Sequence, residues 1–296
     1  MRRLAVALFV CVALFVCVSW CGAAEAQGAA ADQPSRRSPA TLFELLFGAL
    51  PGDAKRSDEP EHLDPDRPHF PEASTTVGLN RVVLESGYTY TRKDSSFTHS
   101  YPEALLRVGV LADWFEVRVG QNFLSERRTV GGTTTSIGGA QDLYLGAKLA
   151  LTAQNGLLPG IALIPQMTVP TGSADVTAGR VLPGLNADFS WEVVKDRFGI
   201  ELLVANNLVR DDVGAHHELA TGLTGVFHLT NTLEVFAEWD AFYPTGGPGG
   251  LGPRHLAVGG LVYFVTPDLA VDVRAGFGLN SRADDFVAGV GFALRR

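Results

Sequence analysis

The acids and bases of this chain stand at alternate positions inside apolar runs, and that spacing is what could do chemistry. Glu234, Glu238 and Asp240 share one parity of their run, while Leu233, Val235, Ala237, Trp239 and Ala241 take the other. Asp188 and Glu192 alternate with Phe189, Trp191 and Val193, Lys148 with Leu145, Ala147 and Leu149, and Asp272 and Arg274 with Val271, Val273 and Ala275. Glu103, Arg107, Glu116 and Arg118 fall into the same pattern, as do Glu85, Asp142, Glu201 and Glu218. Side chains alternate faces along a strand, so each run has one wet and one apolar face. On the wet face the acids outnumber the bases about three to one. Rings of carboxylates in a pore favour cations over anions. The competing reading is that the charges pair and fill a narrow interior.

Other candidate chemistry is weaker. His216-His217-Glu218, with Asp211 and Asp212 nearby, offers metal donors, but no second His/Cys cluster accompanies it. Gly246–Gly252 lacks the Lys-Ser/Thr that ends a phosphate-cradling loop. His99-Ser100 holds a base and a nucleophile, but neighbours on a strand face opposite ways. The reading is therefore no enzyme, no metal and no cofactor.

The elements that must position the charged parity are strands. About twelve strand-like runs follow one another: 81–91, 101–111, 115–123, 142–151, 161–169, 185–194, 198–207, 217–229, 233–243, 255–264, 269–279 and 286–294. Lengths near ten residues suit a tilted strand crossing a bilayer. Connections alternate between long (93–100, 125–141, 171–184, 211–216, 244–254) and tight (112–114, 195–197, 230–232, 266–268). Aromatics such as Tyr88, Tyr90, Phe123, Trp191, Phe227, Phe264, Phe286 and Phe292 gather near strand ends on the apolar parity, as in the girdle of an outer-membrane barrel. A soluble sandwich could show the same alternation, so parity does not by itself assign inside and outside.

Context favours the membrane. Net charge is −8, which argues against nucleic acid as a partner. Mean hydropathy of +0.12 is too low for a bundle of membrane helices. Arg2-Arg3, the apolar run from Leu4 to Cys21 and Ala24-Glu25-Ala26 read as a secretory signal peptide over residues 1–26. All three cysteines lie within it, so an exported remainder would fold without disulfides. Residues 27–75 are acidic and Pro-rich and are expected to be disordered. Within them 39–50 is expected to form a short amphipathic helix, as a plug, a membrane-surface contact or a transient helix in a linker. Residues 76–296 are then an all-β, antiparallel, up-and-down barrel of about 12 strands.

Val169-Pro170-Thr171-Gly172-Ser173, Tyr243-Pro244-Thr245-Gly246 and Phe264-Val265-Thr266-Pro267-Asp268-Leu269 add a resemblance. Over about 81–296 the chain resembles the outer-membrane transporter family named for the meta-cleavage pathway of phenol degradation. The resemblance implies a barrel, passage of hydrophobic or aromatic compounds and no catalytic residues. The resulting expectation is a channel in the outer membrane of a Gram-negative-type bacterium. Its partners would be outer-membrane lipids, small-molecule solutes and the barrel-assembly machinery. The alternatives are a structural or interaction protein with a filled lumen, and a lipid-acting barrel enzyme.

Overall fold

The computed structural model describes residues 41–48, 63–211, 214–245 and 251–296. The expected signal peptide and most of 27–62 lie outside the described residues. A short helix, α1 (Leu42–Phe47), does fall within 39–50. Thr41 Oγ1 caps it by accepting from the Glu44 N–H at 3.1 Å, and Gly48 ends it at φ +82°. It lies beside β5.

The strands are β1 (Val82–Lys93), β2 (Ser96–Gly109), β3 (Phe115–Val130), β4 (Thr133–Ala140), β5 (Leu143–Thr152), β6 (Gly160–Val169), β7 (Leu182–Val194), β8 (Phe198–Asp211), β9 (Gly214–Thr230), β10 (Leu233–Thr245), β11 (Arg254–Thr266), β12 (Leu269–Gly278) and β13 (Phe286–Arg295). Apart from β4 and β5, neighbours in sequence pair antiparallel, and β1 pairs with β13 to close the ring. One edge of β3 pairs with β4 over Phe123–Val130 and with β5 over Phe115–Gly120. These two strands therefore share one stave, and the thirteen strands make a closed barrel of twelve. Closure pairs both edges of the barrel staves, which a membrane-spanning sheet requires, while β4 pairs on one side only, with β3.

Three expected loops prove to be strand. Residues 125–141 are mostly the β3–β4 hairpin, turned at Gly131-Gly132 with φ +58° and +84°. Flanking Val130 and Thr133–Thr135 are β-branched, so Gly-Gly here is a hairpin signal. Residues 93–100 belong mainly to β1 and β2, and β8 and β9 run to Asp211 and from Gly214. The tight turns 110–114, 153–159, 195–197, 231–232 and 267–268 all lie at one end of the barrel, the short-turn end.

Burial assigns the two parities. Tyr88, Leu261, Val273, Val290 and Phe292 are 37–53% exposed on the outside, whereas Glu85, Arg107, Glu116 and Lys148 are fully buried on the inside. An apolar band of that extent on a monomer marks contact with lipid or protein. Phe264 departs from the expected girdle. It points inward and is buried beside Val262, while Tyr263 and Val265 face out. No helix among the described residues is long and apolar enough to cross a membrane; the staves do so.

Candidate functional site: a strapped lumen

Residues 63–75 are not disordered. Leu63–Val77 forms a strap that enters the barrel at the short-turn end, crosses the lumen and returns to the same end. The Leu63 N–H bonds the Pro267 carbonyl at 2.9 Å, in the β11–β12 turn. The Leu79 N–H bonds Asp113 Oδ1 at 2.9 Å, in the β2–β3 turn. Pro65, Pro68 and Pro71 have no N–H to offer a sheet ladder. The remaining N–H groups must still find acceptors, and the inward side chains supply them. Glu85 accepts from the N–H of Asp66 and of Arg67, both at 3.0 Å. Glu238 accepts from Phe70 at 2.9 Å, Asp188 from Glu72 at 3.1 Å and Glu116 from Val77 at 2.8 Å. Ser190 Oγ accepts from Ser74 at 3.2 Å. Part of the carboxylate excess on the inner face is thus a set of acceptors for a segment that is not a strand.

Strap side chains complete a buried charge cluster. Asp66 takes Arg118 Nη2 at 2.7 Å, Lys148 Nζ at 2.8 Å and Arg107 Nε at 3.2 Å. Glu72 pairs with Arg118 and lies 3.7 Å from Lys148. Arg107 also makes a bidentate pair with Glu116 at 3.0 and 3.2 Å and reaches Glu85 at 2.9 Å. Buried charges persist only when paired and hydrogen-bonded, which these are. Elsewhere Arg67 binds Glu103 at 2.6 Å and stands 3.6 Å from Asp272, and Arg274 donates to the Pro68 carbonyl at 2.7 Å. His69 Nδ1 lies 3.1 Å from Glu201, with its ring edge-on to Phe236.

The wall makes room for the strap. A Cβ on Gly222 would sit 2.9 Å from Pro71 and 3.0 Å from Phe70. One on Gly291 would meet Arg67 at 2.5 Å. At the short-turn end Leu63 and Val77 pack with Val83, Val262, Phe264, Ala270 and Ala293, which is why Phe264 turns inward.

Most sequence-predicted lining residues therefore meet around the strap: Glu103, Arg107, Glu116, Arg118, Lys148, Asp188, Glu238, Asp272 and Arg274. Asp240 is buried beside them on β10. Glu234 pairs with His228 at 2.9 Å. Glu192 is exposed at the β7–β8 turn, where its carboxylate accepts from the Asp196 N–H at 2.8 Å and leaves the lumen unlined. Its parity is right, but it lies too near the strand end. Sequence reasoning missed Asp66, Arg67, His69 and Glu72, because their segment reads as disordered by composition. The prolines at every third position were the available signal.

On the far side of the strap is a vestibule of about 620 Å³. Glu72 and Arg118 line it with Tyr144, Leu105 and the carboxamides of Gln121, Asn122, Gln141, Gln166 and Asn207. Gln166 Nε2 donates to Asn186 and Asn207, each at 3.0 Å. His99 and Ser100 face apart: His99 Nδ1 meets the Tyr88 hydroxyl at 2.7 Å, and Ser100 Oγ accepts from Asn122 at 2.7 Å.

A sequence-family model, described as "Putative MetA-pathway of phenol degradation", matches residues 65–295. The chain belongs to this family. The family match takes in the strap from Pro65 onward, whereas the resemblance read from strands began at 81. Among solved structures, an outer membrane channel from Pseudomonas putida F1 is similar, with TM-score 0.60 and 12% identity over 79% of this chain and 100% of that one. A NanC porin is similar with TM-score 0.48 and 10% identity over 72% of this chain and 98% of that one. The first likeness shows the fold, an outer-membrane type of barrel. No curated protein matches the chain.

The Pro-Thr-Gly motif that pointed to the phenol-degradation family has a structural role. Thr171 Oγ1 accepts from the Leu143 N–H at 3.0 Å, and the Gly172 N–H bonds Asp142 Oδ1 at 2.9 Å. Asp142 also accepts from Thr177 Oγ1 at 2.6 Å and the Ala178 N–H at 2.9 Å, and so pins the β6–β7 loop. A Cβ at Gly172 would lie 2.7 Å from the Ala140 carbonyl, so this close approach needs glycine.

Proposed function

We propose that this protein is an outer-membrane channel that passes small solutes passively. The observation that carries the reading is the sealed barrel: apolar outside, charged inside, with a solute-sized vestibule at one end. Glu103, Arg107, Glu116, Arg118, Lys148, Asp188, Glu234, Glu238, Asp240, Asp272 and Arg274 act as the polar lining of that passage. Membership of a family described by phenol degradation supports hydrophobic or aromatic cargo. Leu105 and Tyr144 in the vestibule wall are compatible with it. Cleavage of the signal peptide over 1–26 delivers the chain, and barrel-assembly machinery inserts it into the outer-membrane lipids of a Gram-negative-type bacterium. The short-turn end then faces the periplasm.

The strap supports a second reading, a structural or interaction protein with a filled lumen. Planar-bilayer recording of the purified protein decides between them. Discrete conductance steps are expected, and a folded protein that stays silent overturns the channel reading. Nothing in the site favours a lipid-acting enzyme, since His99 and Ser100 point to opposite sides of the wall.

A further inference from the structure

We infer that the strap Leu63–Val77 is a displaceable plug. The passage is shut while the strap is docked and conducts when the strap withdraws through the short-turn end. This inference rests on the channel reading.

Both anchor points lie at one end of the barrel, so the strap can leave as a loop without threading the chain through the wall. It pairs with no strand. Its N–H groups end on side chains of β1, β3, β7 and β10, so withdrawal exchanges these bonds for water and leaves the twelve-stave ladder intact. The wall also keeps counter-ions of its own. With the strap gone, Arg107 retains Glu85 and Glu116, and Glu116 Oε1 is 3.8 Å from Arg118 Nε. The emptied lumen would thus be a hydrated wall in which Arg107 stays paired, while Lys148, held by Asp66, Glu72 and the Ala73 carbonyl of the strap, would turn to water.

The strap is also what separates the two ends. The vestibule floor includes Glu72, and the apolar seal at the short-turn end is completed by Leu63 and Val77. A lumen meant to be filled permanently could be filled by its own large side chains. Here Gly222 and Gly291 leave the space that Phe70, Pro71 and Arg67 occupy. Removing the strap joins the vestibule to the far mouth.

A reversible lock tests this in the full chain. A Cβ built on Gly222 is 2.9 Å from Pro71 Cγ, which brings a Pro71→Cys/Gly222→Cys pair within the Cβ separation of about 3.5–4.5 Å that a disulfide spans. A strap tied to β9 still crosses the lumen on its way to β1. Oxidation of this variant in a planar bilayer should abolish its conductance, and reduction should restore it. Glu72→Gln, which weakens the hold on Arg118, should raise the open fraction. In parallel, the single variant Pro71→Cys reports strap exit by its rate of labelling with a polar maleimide. Equal conductance in the oxidised and reduced forms overturns the plug and leaves the channel reading standing. An unlabelled Pro71→Cys variant in a conducting protein also overturns the plug. Labelling without conductance in any form removes the channel reading while showing that the strap moves.

Discussion

Asp66 Oδ2 accepts a hydrogen bond from Arg118 Nη2 at 2.7 Å, joining the strap to the barrel wall at the centre of the charge cluster. The other oxygen of the same carboxylate takes Lys148 at 2.8 Å. One strap side chain therefore serves as counter-ion to cations on two staves, β3 and β5, and Arg107 on β2 adds a third.

Removing it should release the strap before it harms the barrel. Breaking a buried ion pair by deleting one partner costs about 3–5 kcal/mol. Because the strap is no part of the ladder, that cost falls on docking. Asp66→Ala should make 63–77 sensitive to protease while the barrel keeps its heat-modifiable migration in detergent gels. A strap as protected as in the wild type would mean that the cluster does not hold it.

The lipid face can be tested at adjacent residues. Val273 is 41% exposed, midway along β12, and pairs with Leu261 and Val290, while Arg274 beside it points into the lumen. An Arg near the bilayer midplane of a barrel costs about 2–4 kcal/mol. Val273→Arg should slow or block folding into lipid vesicles, and Val273→Leu should not. Unimpaired folding of Val273→Arg would reverse the assignment of inside and outside.

Sidedness follows from the positions of the turns. An epitope in the β6–β7 loop, 170–181, should be detected on intact cells. Epitopes at Asp196 or Asn231, in short turns, should be detected only after the outer membrane is opened. Detection of Asp196 from outside would invert the orientation.

Selectivity should reflect β10. Glu234, Glu238 and Asp240 stand on its inner face, and Glu238 accepts from Thr224 Oγ1 at 2.8 Å as well as from the strap. Carboxylates in a lumen attract cations. Glu234→Gln/Glu238→Gln/Asp240→Asn, which keeps an acceptor at each position, should lower cation preference as read from reversal potentials across a salt gradient. An anion-selective wild type would end this account of the acids.

The staves and their alternating faces were legible in the sequence, because a strand repeats every two residues and charge avoids one parity of it. Runs such as 233–243 and 269–279 announce both the strand and the two faces. The β3–β4 hairpin was less legible, since Gly-Gly within Thr and Ser reads equally well as a loop until β3 offers an edge to pair with. Glu192 shows the same limit: parity names a face but not a height along the barrel.

The sequence by itself determined a barrel-sized set of two-faced strands, the pairing of acids with an inner or outer face as a group, and the alternation of turns. Only the tertiary structure decided which face is inside, that β4 and β5 share a stave, and that Leu63–Val77 lies within the lumen. The reason is physical. Strand periodicity is local, whereas the strap is ordered by contacts that no local window contains: its N–H groups end on Glu85, Glu116, Asp188 and Glu238, 18 to 168 residues away along the chain. Composition predicts disorder for a segment that cannot bury itself, and here the barrel buries it instead.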